Sequence, residues 1–295
     1  MYVIMGATGN IGSKLADILL DKGKKVKAIG RSAERLQPFV DHGAIPAVGD
    51  VSDVEFLTNT FKAADVVFAL IPPNYQTKNF RNDFNVMGDN IVKAIQASGI
   101  QHVVFLSSHG AQLPEKTGPV KGLHDVEQKL NKLDDVNVLH LRPTNFMENL
   151  FANIGMIKNM GINGGGVKGD IKISMIATKD IAWVAAEHLL KRDFSGKAVH
   201  ELLGERDVSM EEVTKVLGKK IGKPDLRYVQ FSPEEEKKGL MDFGLSDDAS
   251  DQLVELSQAM NDGLIAVNSP RTAKNTTDTS IEEFGDYFAQ VYENS

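Results

Sequence analysis

The chain has 295 residues, a formal net charge of -7 at pH 7 and no cysteine, which excludes disulfides and a thiolate nucleophile. Its 42% hydrophobic fraction is enough for a large core, built as one long α/β unit or as a main domain with a smaller one. No apolar run approaches the roughly 20 residues of a transmembrane helix. The acidic charge, without a dense Lys/Arg stripe, argues against a nucleic-acid surface.

The chain opens on a short apolar strand, residues 2–5, a glycine-rich turn and a helix with apolar residues at helical period. Because the first residues already read as a core strand, we expect no signal or transit peptide and a soluble, cytoplasmic protein. The turn has GxxGxxG spacing, which lets a pyrophosphate approach the main chain and the free amides of the helix start. The sequence therefore predicts a dinucleotide site with contacts from Gly6, Thr8, Gly9, Asn10, Ile11 and Gly12.

The end of the second strand, residues 25–29, indicates which dinucleotide binds. Asp or Glu usually holds the adenosine ribose of NAD(H) there, but this chain has Arg31 and Ser32, with Arg35 one helical turn later. Guanidinium and hydroxyl groups suit a 2′-phosphate. We therefore expect NADP(H) in preference to NAD(H); the alternative is that Arg31 is a solvent-exposed residue opening a surface helix.

The next strands end at the same edge of the predicted sheet. The third, residues 44–48, leads to Asp50 and Val51, which we expect beside the adenine, although Asp50 equally suits the N-cap of the following helix. Parallel strands bring the residues after them to one edge, near the middle and the nicotinamide end of the cofactor. The residues expected there are Ile71 and Pro72 after the fourth strand, and Ser107 and Ser108 after the fifth.

The Tyr-x-x-x-Lys pair that donates a proton in short-chain dehydrogenases is absent, because none of the five tyrosines is followed by lysine four residues later. The helix that should carry this pair, near residues 121–130, has His124 on an inward turn. Imidazole donates protons near neutral pH, so His124 is the candidate proton donor. The alternative is a structural or solvated histidine. The seven histidines show no metal-ligand spacing.

Four motifs carry a family resemblance: GATGNIG at 6–12, HDVEQKL at 124–130, LRPTNFMEN at 141–149 and SMIATKDIAWVAAEHLL at 174–190. Together with the basic residue after strand two, they make about the first 200 residues resemble the NmrA-like group of atypical short-chain dehydrogenases. The resemblance implies NADP(H) binding and a small C-terminal lobe over the nicotinamide end. It also implies nicotinamide contacts from Pro143, Thr144, Asn145 and Phe146. The alternative is that residues 142–149 only shape a turn and pack in the core.

Alternating strands and helices predict an α/β fold with a doubly wound parallel sheet. We expect residues 1–149 to form this dinucleotide-binding domain, with 174–203 returning to it, and residues 150–173 and 204–295 to form the smaller α/β substrate lobe. Residues 161–169 are too glycine-rich to hold a fixed element alone, which favours a connector over a mobile lip. Residues 268–279 read as loop. Met241, Phe243 and Leu245 are candidates for the apolar lining of the lobe, or ordinary packing residues.

The absence of the Tyr-Lys pair limits which acceptors the site can reduce. Hydride addition to a simple ketone builds charge on one oxygen and needs a positioned acid, whereas quinones and azo compounds spread that charge. The sequence thus favours an oxidoreductase that transfers hydride from NADPH to a quinone-like or other conjugated small molecule. NmrA-like proteins include NADPH-dependent quinone reductases. They also include dinucleotide-binding redox sensors without known turnover that contact a protein partner, and this is the alternative. The missing pair disfavours a sugar-nucleotide epimerase or a ketone reductase.

Overall fold

The structure, a computed structural model, describes residues 1–267 and 269–295. The strands are β1 (Tyr2–Ile4), β2 (Val26–Gly30), β3 (Ile45–Val48), β4 (Val66–Ala69), β5 (His102–Leu106), β6 (Asn137–Pro143), β7 (Asn145–Phe146), β8 (Ile162–Gly165), β9 (Ile173–Ile176), β10 (Lys197–Leu202), β11 (Asp207–Val208) and β12 (Arg227–Gln230). The helices are α1 (Asn10–Asp21), α2 (Ala33–Asp41), α3 (Val54–Phe61), α4 (Phe80–Ser98), α5 (Val120–Asn131), a 3-10 helix (Met147–Asn153), α6 (Ile154–Met160), α7 (Thr178–Lys191), α8 (Met210–Lys220), α9 (Pro233–Asp242), α10 (Asp247–Asn261) and α11 (Ile281–Asn294).

The main sheet has seven parallel strands in the order β3-β2-β1-β4-β5-β6-β10. This confirms the predicted α/β class with a doubly wound sheet. The strand order changes direction between β1 and β4, so the loops after these strands diverge and leave a crevice at the carboxyl edge. The residues that follow β1, β4, β5 and β6 therefore meet at this edge.

Helices cover both faces of the main sheet. The apolar cluster on one face includes Leu15 of α1 and Ile181 of α7, and the cluster on the other includes Leu57 of α3, Ile91 of α4 and Val126 of α5. Strands covered on both faces are apolar along their whole length. Accordingly, every residue of β4 is fully buried, which explains why the central strands were recognisable as continuous apolar runs.

A third apolar cluster forms beyond the sheet edge, from the 3-10 helix, α6, α8 and α11, with Leu217, Phe284 and Phe288 among its members. Helix α10 lies within the range assigned to the lobe, yet it packs against the main domain. Its Ala249 joins the core cluster beneath α4, and the Asp248 carboxylate accepts a hydrogen bond from the Phe80 amide at 2.7 Å. Helix α10 therefore forms one wall of the crevice at the carboxyl edge of the main sheet.

The glycine-rich segment 161–169 contains a regular element, but the segment does not form it alone. Strand β8 pairs in parallel with β12 over four residues. The Asn153 amide group also donates to the Gly164 carbonyl at 3.2 Å. The strand is held by a partner that lies more than sixty residues away in the sequence. Local composition does not reveal such a partner. Of the predicted loop 268–279, Asn268 lies outside the described residues.

No helix in the described part of the chain combines the length and the apolar character needed to span a bilayer. Within residues 1–267 and 269–295, His, Asp and Glu side chains form no group of three that could hold a metal ion.

Candidate active site

A cavity of about 1260 Å³ runs along the carboxyl edge of the main sheet, from the glycine turn to helix α10. All the predicted cofactor residues except Ser32 and Pro143 line it. The strand ends gather these residues from distant parts of the chain, since each loop after β1 to β6 contributes to one continuous wall.

The glycine turn at one end of the cavity has no room for a side chain at positions 6 and 12. Gly6 has a φ of +65°, in the left-handed region that favours glycine, and a Cβ at position 12 would lie 2.2 Å from the Gly6 carbonyl oxygen. The N-cap of α1 is Gly9, so no side chain caps this helix, and its first turn carries no acidic residue. The uncapped amides and the positive end of the helix dipole suit a phosphate group.

Two arginines stand beside the turn. The Arg35 guanidinium donates to the Thr8 carbonyl oxygen at 3.1 Å, while Arg31 is exposed, as the sequence alternative had it, and also lines the cavity. The two guanidinium groups line the same end of the cavity as the backbone of the glycine turn. This combination fits a dinucleotide that carries an additional phosphate on its ribose.

Asp50 lies across the cavity from the glycine turn. Its carboxylate accepts a hydrogen bond from the Ser52 amide at 2.8 Å, and this bond is the main reason why its pKa lies below the ordinary value, with the charge of Arg31 contributing. The N-cap of α3 is Asp53, whose carboxylate accepts from the Phe56 amide at 3.0 Å. The helix-cap alternative for Asp50 is therefore wrong, and a contact with adenine stays a prediction.

Three predicted site residues lie outside the cavity lining. Ser32 is the N-cap of α2, where its hydroxyl accepts from the Arg35 amide at 3.3 Å. Pro143 is buried, and its carbonyl oxygen accepts from the His109 amide at 2.9 Å. His124 directs Nδ1 to the Ala111 carbonyl oxygen at 2.8 Å. The structural alternative for His124 therefore fits its geometry better than proton donation.

A buried ion pair that the sequence reasoning missed lies next to Ser107, in the part of the cavity where the nicotinamide was expected. Arg142 donates to Glu127 through Nε at 3.0 Å and through Nη2 at 2.5 Å, and Glu127 is only 1% exposed. The Ser107 hydroxyl donates to the same carboxylate at 2.5 Å. The pair therefore orients Ser107, which lines the cavity, with its oxygen free to accept from a ligand.

Thr144, Asn145 and Phe146 line the cavity beside Ser107. The Thr144 hydroxyl donates to the Ser174 hydroxyl at 3.1 Å, and the Asn145 amide group donates to the Ser174 carbonyl at 3.4 Å. Met147 instead packs in the core of the lobe. Residues 144–146 of this motif therefore line the cavity and Met147 is a core residue, while a contact of the motif with nicotinamide stays a prediction.

The far half of the cavity has an apolar wall. Tyr75 stacks on Phe80 at 5.7 Å between ring centroids, and Phe80 on Phe84 at 4.9 Å. The opposite wall comes from α10 and the residues after it: Leu253, Leu256, Met260 and Ile265. Of the candidates for apolar lining, Met241, Phe243 and Leu245, none lines this cavity: the first two are 44% and 74% exposed, and Leu245 packs against the main core, as the packing alternative had it.

His109 is a further cavity residue that was given no role from sequence. It is 8% exposed and follows Ser107 and Ser108 at the end of β5. Its Nε2 is 3.1 Å from the Ile265 carbonyl oxygen. Its position directly after two predicted site residues could have indicated a role for His109. The residue that it contacts, however, is 156 residues away in the sequence.

Comparisons with known proteins agree with this fold. The NAD(P)H azoreductase of Xenophilus azovorans is 26% identical over 259 residues, covering 87% of this chain and 86% of the azoreductase. The NADPH-dependent quinone oxidoreductase of Escherichia coli, solved with NADPH, superposes with a TM-score of 0.82 at 22% identity, covering 97% of this chain and 99% of that one.

The triphenylmethane reductase of Citrobacter sp., solved with NADP(H), has a TM-score of 0.76 at 21% identity and covers 98% of this chain and 100% of that one. At these identities the solved structures show a shared fold. The family model matches residues 2–284, nearly the whole chain. The chain therefore belongs to the NmrA-like family, as its motifs indicated.

Proposed function

We propose that this protein is an NADPH-dependent reductase that transfers hydride to a flat conjugated acceptor of the quinone or azo class. The observation that carries the proposal is the single cavity, which joins a phosphate-binding glycine turn and two arginines to a compartment with stacked aromatic rings. The relatives named as an azoreductase and a quinone oxidoreductase support it.

Different residues of the cavity bind different parts of the cofactor. The first amides of α1 hold the pyrophosphate, and Arg31 and Arg35 bind the 2′-phosphate. Asp50 and Val51 lie along the adenine, and Ile71 and Pro72 contact the middle of the cofactor. Ser107, Ser108 and residues 144–146 hold the nicotinamide half. Bound NADPH supplies the hydride.

The far compartment determines which acceptor reacts. Its apolar and aromatic walls orient a flat ring system and exclude water from it. The Ser107 proton is engaged by Glu127, so this hydroxyl does not act as an acid. Acceptors that delocalise the incoming charge need less help from an acid, which matches a compartment without the Tyr-Lys pair.

Replacing Arg31 by alanine should lower the affinity for NADPH roughly 10- to 100-fold and leave that for NADH nearly unchanged, because charge-assisted hydrogen bonds to the 2′-phosphate are lost. Calorimetric titration with NADPH, NADP⁺, NADH and NAD⁺ measures this. Arg227→Ala, at an exposed arginine of β12 outside the cavity, is the matched control. An unchanged ratio of NADPH to NADH affinity in Arg31→Ala would contradict the assignment.

Steady-state NADPH oxidation should be at least about 100-fold more efficient in kcat/KM with benzoquinones, naphthoquinones or azo dyes than with a simple ketone such as cyclohexanone, because a positioned acid is worth at least that factor. A reaction without protein corrects for direct reduction of quinones. Tight binding of NADPH with no turnover of any acceptor would overturn the enzyme proposal and leave a dinucleotide-binding sensor.

A further inference from the structure

The segment after α10 contributes to the acceptor half of the cavity and then continues as a polar stretch. We call its described residues, 264–267 and 269–279, the strap. Ile265, Ala266 and Val267 line the cavity, so the strap forms part of the wall. Farther along, the Leu203 amide donates to the Asn275 carbonyl at 2.7 Å, and the Thr277 amide donates to the Leu203 carbonyl at 3.0 Å, next to β10.

Two histidines of the main domain contact carbonyl oxygens of the strap. His109 reaches Ile265 from the end of β5, with Nε2 at 3.1 Å from the carbonyl oxygen. His200 reaches Lys274 from β10, with Nε2 at 2.8 Å from the carbonyl oxygen. A carbonyl only accepts, so each contact is a hydrogen bond only when Nε2 carries a proton.

The other nitrogen of His109 faces a carboxylate. Its Nδ1 lies 3.4 Å from the Glu201 Oε1, within ion-pair distance though without the alignment of a hydrogen bond. Glu201 also accepts from the Ser269 hydroxyl of the strap. A neutral His109 has one proton for two oxygen neighbours, and the charged one competes for it. Only the imidazolium satisfies Ile265 and Glu201 together.

His200 belongs to a longer network that includes a second histidine. Its Nδ1 is 2.8 Å from Nε2 of His188, and the Nδ1 of His188 is 2.6 Å from the Asp193 carboxylate. The three bonds from Asp193 to Lys274 need three protons, whereas two neutral imidazoles carry two. The chain of three bonds is therefore complete only when the His188–His200 pair carries one additional proton, whose positive charge lies in a network that ends at the Asp193 carboxylate.

Loss of that proton breaks the bond to the strap. Neutral His188 keeps the proton that faces Asp193, and its Nε2 becomes an acceptor. His200 then donates from Nδ1 to His188 and presents the bare Nε2 to the Lys274 carbonyl. The number of protons on the His188–His200 pair is thereby coupled to the strap.

An arginine of the strap attaches it independently of pH between 5.5 and 8, and a lysine on α7 lies near the histidine network. The Arg271 guanidinium pairs with Asp207 and donates to the Gly204 carbonyl. Lys191 has its charge near Asp193 and pairs with Glu187. The histidine contacts therefore add a titratable part to a constant attachment.

We propose that His109 and His200 are positioning residues that fasten the strap over the acceptor half of the cavity when His109 and the His188–His200 pair each carry an additional proton. The proposal rests on the proposed function only in naming this half as the acceptor compartment. It makes the strap wall tighter in mildly acidic than in mildly alkaline solution.

Hydrogen exchange of the full chain, without cofactor, tests the fastening directly. Protection factors of strap amides, corrected for the chemical exchange rate, should fall roughly fivefold or more from pH 5.5 to pH 8, the factor expected for a lost hydrogen bond. The amides of β4 should not change in this way. His109→Gln combined with His200→Gln keeps neutral donors at both places and should remove the dependence.

His42→Gln is the matched control, because His42 lies near Asp17 and Asp21 and does not touch the strap. It should behave as the unchanged protein. If the double variant does not fold, Asp193→Asn removes the carboxylate that holds the additional proton and should weaken the pH dependence near Lys274. Equal strap protection at both pH values, or a variant of His109 and His200 or of Asp193 that retains the full dependence, overturns the proposal.

The acceptor KM provides a second measurement. It should rise from pH 5.5 to pH 8 in the unchanged protein and be flat in the double variant, whereas the affinity for NADPH, whose 2′-phosphate titrates in this range, should change with pH equally in both proteins. If no acceptor reacts, the exchange experiment still decides the role of the histidines, and only the proposed function fails. A KM that does not follow the measured strap protection overturns the positioning role.

Discussion

Gly12→Ala should weaken NADPH binding on the order of a hundredfold or more. The added Cβ would lie 2.2 Å from the Gly6 carbonyl oxygen and 2.6 Å from its carbonyl carbon, so backbone has to move. A shift of about 1 Å in the turn takes the amides of α1 out of position for the pyrophosphate, and misplacements of that size commonly have effects of this order. Titration calorimetry measures the binding.

The control for this substitution is Gly239→Ala in α9, where an added Cβ meets nothing within 4 Å. It should bind NADPH normally and be more stable by up to about 1 kcal/mol, since alanine is the better helix former. Urea unfolding without cofactor separates lost binding from lost stability in Gly12→Ala. Normal NADPH affinity in a folded Gly12→Ala protein would show that the phosphates bind elsewhere.

The glycine turn was predictable because its determinants are local. Strand, turn and helix lie within about twenty residues. Because Gly12 approaches Gly6 closely, both positions need glycine, and the resulting glycine spacing can be recognised in the sequence. The same holds for the buried strands, whose apolar runs follow from helices on both faces. Residues after successive strands could then be placed at one edge from topology alone.

The proposed acceptor compartment was not predictable, because its walls come from long-range packing. Met241 and Phe243 have apolar side chains in the right part of the chain, yet α9 leaves them exposed, and α10 supplies Leu253 and Leu256 instead. Which of two amphipathic helices faces the cavity depends on contacts such as Lys121 with Glu255, 134 residues apart. Local periodicity carries no information about such pairs.

The polar groups under the site were missed for a related reason. Glu127 was read as part of a family motif, and Arg142 as part of another, without a connection between them. A buried carboxylate needs a partner, but its identity depends on where α5 crosses the end of β6. Likewise, the histidines that contact the strap have partners from 74 to 156 residues away.

Removing one charge of the Glu127–Arg142 pair should lower the free energy of unfolding by about 3–5 kcal/mol, because the remaining charge stays buried without a partner. Glu127 is 1% exposed and the Arg142 side chain 13%. Glu127→Leu removes the negative charge and Arg142→Met removes the positive charge. Urea unfolding measures the stability of each variant. Glu187→Ala, which removes an exposed pair with Lys191, should change stability by no more than about 1 kcal/mol.

The double variant separates the loss of an ion pair from the loss of packing. Combining Glu127→Leu with Arg142→Met should destabilise the protein less than the sum of the single substitutions, since neither charge is left unpaired. NADPH affinity should nevertheless stay reduced, because Ser107 loses the carboxylate that orients its hydroxyl at the nicotinamide half. Additive effects on stability would contradict the coupling. Full NADPH affinity in the double variant would show that the ion pair stabilises the fold without positioning Ser107.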